Sequence, residues 1–388
     1  SQIVPPADSA IHAAIMDSHT SIKATDIPRA PDYYSVGQEL VDAYATATLA
    51  VANSFETTGR GDLAICYTPL HGVGGEVFTS LLATAGFTQV HTVTTQASPD
   101  PNFPTVSFPN PEEAGALDLA IDTAQEVGAD LIIAHDPDAD RLAVALPNGD
   151  GWSMLSGNEL GAILGATKSR QAEEAGITGV LGYSLVSSPI AGTIAKDHGL
   201  TPTQTPTGFK WISRLPGLVF GYEEALGYLV NPETVRDKDG ISAGLFLACL
   251  AAELKSQGQT LRDELERVRT TYGGFASDQI SLRFDTTLIA GEVMDQVRQS
   301  PQAVFADLGV QAVVDLLNPP EGTPPANLIQ LTLQGGNRVI VRPSGTEPKL
   351  KVYLDTTAPE QSTADEAMEA LRQEVSRAID ALVSSDKA

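Results

Sequence analysis

Asp136, Asp138 and Asp140 stand two residues apart, directly after the apolar run Leu131 to Ala134, and Arg141 follows them. Three carboxylates that close repel one another; either they share a divalent cation or they raise each other's pKa. An all-oxygen donor set suits Mg²⁺, which keeps positions open for water or a phosphate oxygen. A guanidinium directly behind it can hold phosphate oxygens in bidentate fashion. The segment is therefore expected to be a metal site facing a phosphoryl group. Two rivals fail on spacing. An EF-hand needs Gly at its sixth position and Glu at its twelfth, where Arg141 and Pro147 stand. A D-x-D-x-Thr phosphatase signature needs Thr where Asp140 stands. A solvated acidic turn is the bland alternative.

Other segments carry groups that fit the same chemistry. Arg342-Pro343-Ser344-Gly345-Thr346-Glu347-Pro348-Lys349 offers a guanidinium, hydroxyls, an ammonium and a glycine-relaxed backbone, the parts of a phosphate cradle. Taken alone, a plain turn between strands explains it as well. Glu223 and Glu224, in Gly221-Tyr222-Glu223-Glu224-Ala225-Leu226-Gly227-Tyr228, suit sugar hydroxyls, and either tyrosine suits an apolar sugar face; an exposed acidic loop is the alternative. Lys210 in Thr207-Gly208-Phe209-Lys210 and Lys238 in Arg236-Asp237-Lys238-Asp239-Gly240 each put a cation in a loop, to bind phosphate or, with a lowered pKa, to move a proton. Surface lysines are the alternative for both. Gly72-Val73-Gly74-Gly75 is a weak dinucleotide signal, because Val77 stands where the last small residue belongs. His71 beside it either faces a site or is structural.

Periodicity predicts the elements that position these groups. Helices are expected over Asp8 to Ser18, Asp32 to Ser54, Leu117 to Val127, Asn158 to Ala166, Pro189 to Asp197, Ile241 to Lys255 and Thr260 to Thr271. Strands are expected over Leu63 to Tyr67, Val90 to Thr94, Leu131 to Ala134, Leu142 to Leu146, Gly179 to Ser184 and Leu218 to Tyr222. Such alternation implies a largely parallel α/β layer, whose ligands bind beyond the carboxyl ends of strands. The aspartates lie at such an end. From Phe275 onward strands and segregated helices imply an α+β domain.

Composition narrows the function classes. The 388 residues have 24 basic and 49 acidic side chains, a formal charge of −25, which argues against nucleic-acid or anionic-membrane surfaces. Cys66 and Cys249 form neither a disulfide framework nor a zinc pattern, and a reducing, cytoplasmic compartment is expected. No apolar run approaches the roughly 18 residues of a membrane span.

Taken in order, these motifs resemble the α-D-phosphohexomutase family, the phosphoglucomutases and phosphomannomutases. Asp136-Pro137-Asp138-Ala139-Asp140-Arg141 resembles its metal loop, Gly221 to Glu224 its sugar-recognition loop, and Arg342 to Pro348 its phosphate loop; Thr207 to Lys210 and Asp237 to Gly240 also fit. The resemblance implies an α/β fold of successive related α/β domains with mixed sheets between helices, plus a C-terminal α+β domain. It divides the chain into a remnant of domain 1 with linker (1–31), domain 2 with the metal loop (32–148), domain 3 with the sugar loop (149–271) and domain 4 with the phosphate loop (272–388). It implies transfer between the 1- and 6-positions of a hexose through an enzyme phosphoserine and a sugar bisphosphate, the latter also an activator. Mg²⁺ would sit on Asp136, Asp138 and Asp140, with Arg141 on the phosphoserine phosphate. Arg342, Ser344, Gly345 and Thr346 would hold the distal phosphate of a small phosphosugar, and Glu223 and Glu224 the sugar, with Lys210 and Lys238 for phosphate contact or proton transfer. Two departures matter. The family's T-A-S-H-N-P-like catalytic segment is not found, and Gln2 to Pro6 is similar to sequence shortly after it. The chain is therefore expected to lack most of domain 1 and to be inactive alone. Ala225 stands where many hexose-specific members place Ser. Phosphopentomutase activity, or a non-catalytic phosphosugar-binding truncation, stay open as alternatives.

Overall fold

Leu131–His135 is buried at every position, as a strand covered on both faces must be. In the computed structural model, which describes residues 2–19, 22–285, 287–319, 325–344 and 348–385, it is the middle strand of a five-stranded sheet. The order is Gln89–Thr92, Ala64–Thr68, Leu131–His135, Leu142–Asn148, Gly151–Met154. The first three strands run parallel. The helices Gly75–Thr84 and Asp118–Val127 lie between them in the chain, since parallel neighbours need crossovers. The last two strands return antiparallel. The sheet is thus mixed, because the chain doubles back beyond the aspartates rather than crossing over again.

This sheet belongs to the first of two compact units, made of Ser1–Met154, Gly208–Tyr222 and Leu226–Gly258. Its buried helix Gly240–Ser256 packs on the strands Leu131–His135 and Leu142–Asn148. The helix expected over Asp32 to Ser54 forms only from Gln38 to Leu49, after an extended Gly37, and its end tightens into a 3-10 turn, Ala50–Ser54. Arg60, 5% exposed, closes that turn by donating to the carbonyls of Ala52, Phe55, Glu56 and Ala85.

The second unit is Leu155–Thr207, Glu223–Ala225 and Gln259–Ala388. The helix Gly157–Glu174 starts in a capping box between Ser156 and Glu159, and Leu261–Tyr272 in another between Thr260 and Asp263. The two helices pack together. Val180–Ser184 pairs in parallel with Thr201–Thr205. The C-terminal part is an antiparallel sheet in the order Gly274–Arg283, Lys349–Ala358, Arg338–Pro343, Ile329–Leu333, Val310–Asp315. Val293 and Val297 of the helix Thr287–Gln299 and Val375 of Gln361–Ser385 join Leu331, Val341 and Val352 in one core.

Among the described residues, four strands escape periodicity: Gly151–Met154, Thr201–Thr205, Gly227–Leu229 and Val310–Asp315. Thr201–Thr205 reads Thr-Pro-Thr-Gln-Thr, with no apolar residue to signal it, and it lies at a sheet edge where Pro202 is tolerated. Among the described residues, no helix is long and apolar enough to cross a membrane.

Both cysteines are fully buried. Burial pushes the Cys66 thiol up to about 12 and the Cys249 thiol up to about 11. Thiolate is the reactive form. A disulfide-exchange reagent at pH 8 is therefore expected to titrate no thiol in the folded chain and two after urea unfolding; one fast-reacting thiol in the native state would contradict that burial.

Candidate functional site

Beyond the end of Leu131–His135 the chain turns through Asp136 and returns at Leu142. Ala139 sits at φ +56, a left-handed conformation uncommon for a residue with a Cβ, and its amide donates to the Asp136 carbonyl at 2.9 Å. The result gathers Asp136, Asp138 and Asp140, each offering a carboxylate oxygen within 4.8 Å of the others. Asp136 is 2% exposed, Asp138 is exposed and Asp140 lies between. Oxygens bound to one Mg²⁺ at about 2.1 Å are at most about 4.2 Å apart, so a small inward movement lets this hard, anionic set hold the ion.

Two cations already lie on these carboxylates. Arg141 donates from Nε to Asp136 Oδ2 at 2.6 Å and from its amide to Oδ1 at 3.1 Å. Lys238 Nζ lies 2.6 Å from Asp140 Oδ2, 12% exposed, over the Phe209 ring at 5.9 Å. Lys238 is thus no plain surface lysine. Burial raises the Asp136 carboxyl above the carboxylate range, opposed by Arg141; burial raises Asp140 likewise, opposed by Lys238. Lys210 is placed elsewhere, 3.8 Å from Asp8 Oδ2 and 5.7 Å from the Trp211 ring.

The glycine-rich turn proves to be packing for this loop. The Val73 amide donates to the Pro137 carbonyl at 2.9 Å, and a Cβ at Gly72 or Gly74 would come within 2.5 Å of Pro137 or 2.4 Å of Ala139. His71 is buried, with Nε2 2.9 Å from Thr105 Oγ1, a satisfied histidine. An apolar hollow of about 620 Å³, lined by Leu40, Val41, Tyr44, Val73 and Ile241, borders Asp138.

Three supports went unseen in the sequence because they are long-range. Gly240, at the start of its helix, donates its amide to the Ala139 carbonyl at 3.1 Å. Asp239 accepts from the Ser242 amide as the helix cap and from Tyr44 Oη at 2.9 Å, next to Lys238. His135 Nε2 lies 2.9 Å from the Gly240 carbonyl, which can only accept, so Nε2 carries the proton and Nδ1 accepts from Tyr67 at 3.1 Å. Burial lowers the His135 pKa to about 4. Between pH 6.5 and 4 the unfolded chain therefore binds the proton and the folded chain does not, so stability falls as pH falls through that window, by roughly 3 kcal/mol in full. His135→Gln does not titrate and is expected to unfold in urea with a shallower pH dependence than wild type from pH 7 to 4.5. Equal slopes would take this role from His135.

In the second unit, Ser184 donates to Glu224 Oε2 at 2.9 Å, and the Glu224 amide donates to Ser187 Oγ at 3.1 Å. Tyr353 is hydrogen-bonded to Arg342, and burial, with the charges of Glu224 and Glu223 beside it, raises its phenol well above the usual range. Glu223, Glu224 and Arg342 are therefore electrostatic neighbours of one tyrosine. The amide of Ser344 donates to the Lys349 carbonyl at 2.8 Å and closes the hairpin that carries the expected phosphate loop. Gly345 and Thr346 lie outside the described residues.

Family models for phosphoglucomutase/phosphomannomutase match in series: alpha/beta/alpha domain II at 42–149, alpha/beta/alpha domain III at 156–272 and the C-terminal domain at 289–373. A probable phosphomannomutase of Haemophilus influenzae is 45% identical over 368 residues, covering 95% of this chain and 74% of its own. A Staphylococcus epidermidis phosphoglucomutase is 34% identical over 321 residues, 77% of this chain and 58% of its own. The open form of pp63/parafusin, a phosphoglucomutase from Paramecium, superposes with a TM-score of 0.70 at 19% identity, over 91% of this chain and 64% of that one. The chain belongs to the phosphoglucomutase/phosphomannomutase family, whose mixed α/β domains it shares. It spans less than two thirds of the staphylococcal and Paramecium proteins.

Proposed function

We propose that these residues form the metal-, sugar- and distal-phosphate-binding part of a phosphohexomutase that moves a phosphoryl group between the 1- and 6-positions of a hexose through an enzyme phosphoserine and a bisphosphate. The observation that carries this is the convergence of Asp136, Asp138 and Asp140 at a strand end with Arg141 and Lys238 on them. Family membership supports it, and the domain division 1–31, 32–148, 149–271 and 272–388 is part of the same proposal.

Phosphoryl transfer depends on positioning and charge neutralisation. Asp136, Asp138 and Asp140 would hold Mg²⁺, which would supply charge neutralisation and orient phosphoryl oxygens. Arg141 swings from Asp136 to the transferring phosphate, and Lys238 holds a phosphate oxygen or delivers a proton next to it. Lys210, which the fold places in the short helix Phe209–Ile212 rather than in a loop, serves in the same way. Glu223 and Glu224 accept from sugar hydroxyls, and Arg342, Ser344, Gly345 and Thr346 hold the distal phosphate.

No T-A-S-H-N-P-like run occurs in these 388 residues. The polypeptide of this sequence alone is expected to bind hexose phosphate and not isomerise it. Calorimetric titration with glucose 1-phosphate, mannose 1-phosphate and ribose 1-phosphate, beside a coupled mutase assay, tests this. Preference for ribose 1-phosphate would favour the pentose alternative opened by Ala225. Turnover by this polypeptide would refute the assignment of its nucleophile to a segment it does not contain, and failure to bind any of the three would refute the phosphosugar site.

A further inference from the structure

Glu224 is held in place more firmly than a loop carboxylate needs. Gly157 begins its helix against the loop, where a Cβ would come within 1.8 Å of the Glu224 carbonyl oxygen. Ser184 Oγ donates to Oε2 at 2.9 Å; the Ser187 hydroxyl lies 2.8 Å from Ser184 Oγ and 3.2 Å from Oε2. The serines lie on a buried turn, Ser187 at 0% exposure, and the adjoining Ser188 amide donates to Asn158 Oδ1 at 2.8 Å.

What fixes that turn is a buried arginine far along the chain. Arg338, 7% exposed, donates from Nη1 to the Leu185 carbonyl at 2.8 Å and from Nη2 to the Ser187 carbonyl at 2.7 Å. Its Nε and Nη2 also donate to Asp355 Oδ2 at 2.9 and 2.6 Å. Asp355 stands directly opposite it on the neighbouring strand and takes a further bond from Ser277 at 2.7 Å. A buried ion pair is a poor source of stability, since apolar residues of equal volume often do as well or better. A planar guanidinium with a fixed fork is a good device for setting two carbonyls at a fixed spacing.

We propose that Arg338 is a positioning residue for sugar recognition. Through the carbonyls of Leu185 and Ser187 it sets the serine pair that aims Glu224. The inference rests on the proposed role of Glu224 as a sugar ligand and adds what holds that carboxylate.

The experiment compares two ligands, glucose 1-phosphate and methyl phosphate, which share a phosphate monoester and differ in the sugar. Their dissociation constants are measured by calorimetry on the 388-residue chain and its variants. Arg338→Lys keeps a charge for Asp355 but cannot span both carbonyls. It is expected to weaken glucose 1-phosphate about tenfold and leave methyl phosphate within about twofold, the scale of one misplaced charged hydrogen bond. Ser184→Ala with Ser187→Ala, which leaves Arg338 intact, is expected to give the same loss, and adding Arg338→Lys no more, because both act on one carboxylate. If the lysine variant does not fold, Arg338→Met with Asp355→Leu removes both buried charges and takes its place. Arginine variants that fold and keep the wild-type ratio of the two constants overturn the proposal, as does an equal loss of both ligands, the mark of a merely structural role. A wild-type chain that binds the two ligands equally overturns the sugar role of Glu224 itself, and this inference with it.

Discussion

Gly240→Ala is expected to displace the aspartate loop and destabilise its unit by about 1–3 kcal/mol, the usual cost of overpacking a filled site. The added Cβ would stand 2.4 Å from the Arg141 carbonyl oxygen and 2.8 Å from that of Ala139. Both are backbone atoms, so no side chain can rotate away. Gly240 also accepts from His135 Nε2, so retreat of its helix would break a buried hydrogen bond. The loop must yield, and with it the Arg141 amide that sets Asp136 Oδ1. Mg²⁺ affinity should then fall by at least about tenfold, as when supporting groups around metal ligands are lost. Gly291→Ala is the matched control. It lies in the helix Thr287–Gln299 with nothing within 4 Å of its would-be Cβ, and it should be neutral or stabilising by up to about 1 kcal/mol. Urea midpoints and Mg²⁺ titrations of both variants decide the matter; a Gly240 variant matching wild type in both would mean the loop does not lean on this helix.

The contrast between those glycines shows what a sequence exposes and what it hides. Asp136, Asp138, Asp140 and Arg141 fall within six consecutive positions after an apolar strand, so their meeting needs only one turn. The strand–helix alternation that implied a largely parallel α/β layer is equally local, written in residues two to four apart; the antiparallel return of the last two strands was not in it. Gly240 lies about a hundred positions from Ala139, and nothing in its neighbours shows that a backbone approaches it. Lys238 looked like any loop lysine until the fold set it on Asp140. Arg338 opens an apolar strand, where a charge usually points to solvent; only the turn at Leu185 to Ser187, some 150 residues away, shows why it is buried. The glycine-rich turn misled in the opposite sense. Its glycines admit a close backbone approach, but from Pro137 and Ala139 of the protein itself rather than from a ligand's pyrophosphate.

Asp138→Asn is expected to separate metal binding from folding. Asp138 is the exposed member of the trio, with neither Arg141 nor Lys238 on its carboxylate. Its replacement removes one negative charge and keeps the shape. Mg²⁺ affinity should fall at least about tenfold, no less than for a supporting group. Stability without Mg²⁺ should hold within about 0.5 kcal/mol of wild type, as for surface substitutions, with any change upward because one like-charge repulsion is gone. The stabilisation that Mg²⁺ gives the wild type by mass action should shrink in step with the lost affinity. Asp136→Asn cannot make this distinction. Asp136 is 2% exposed and carries two bonds from Arg141, so its loss would strike the loop and the ion together. Urea unfolding of wild type and Asp138→Asn with and without Mg²⁺, beside direct Mg²⁺ titration, gives both quantities. An Asp138 variant that binds Mg²⁺ as wild type does would confine the ion to Asp136 and Asp140, and one that unfolds without Mg²⁺ would make the exposed carboxylate part of the fold instead.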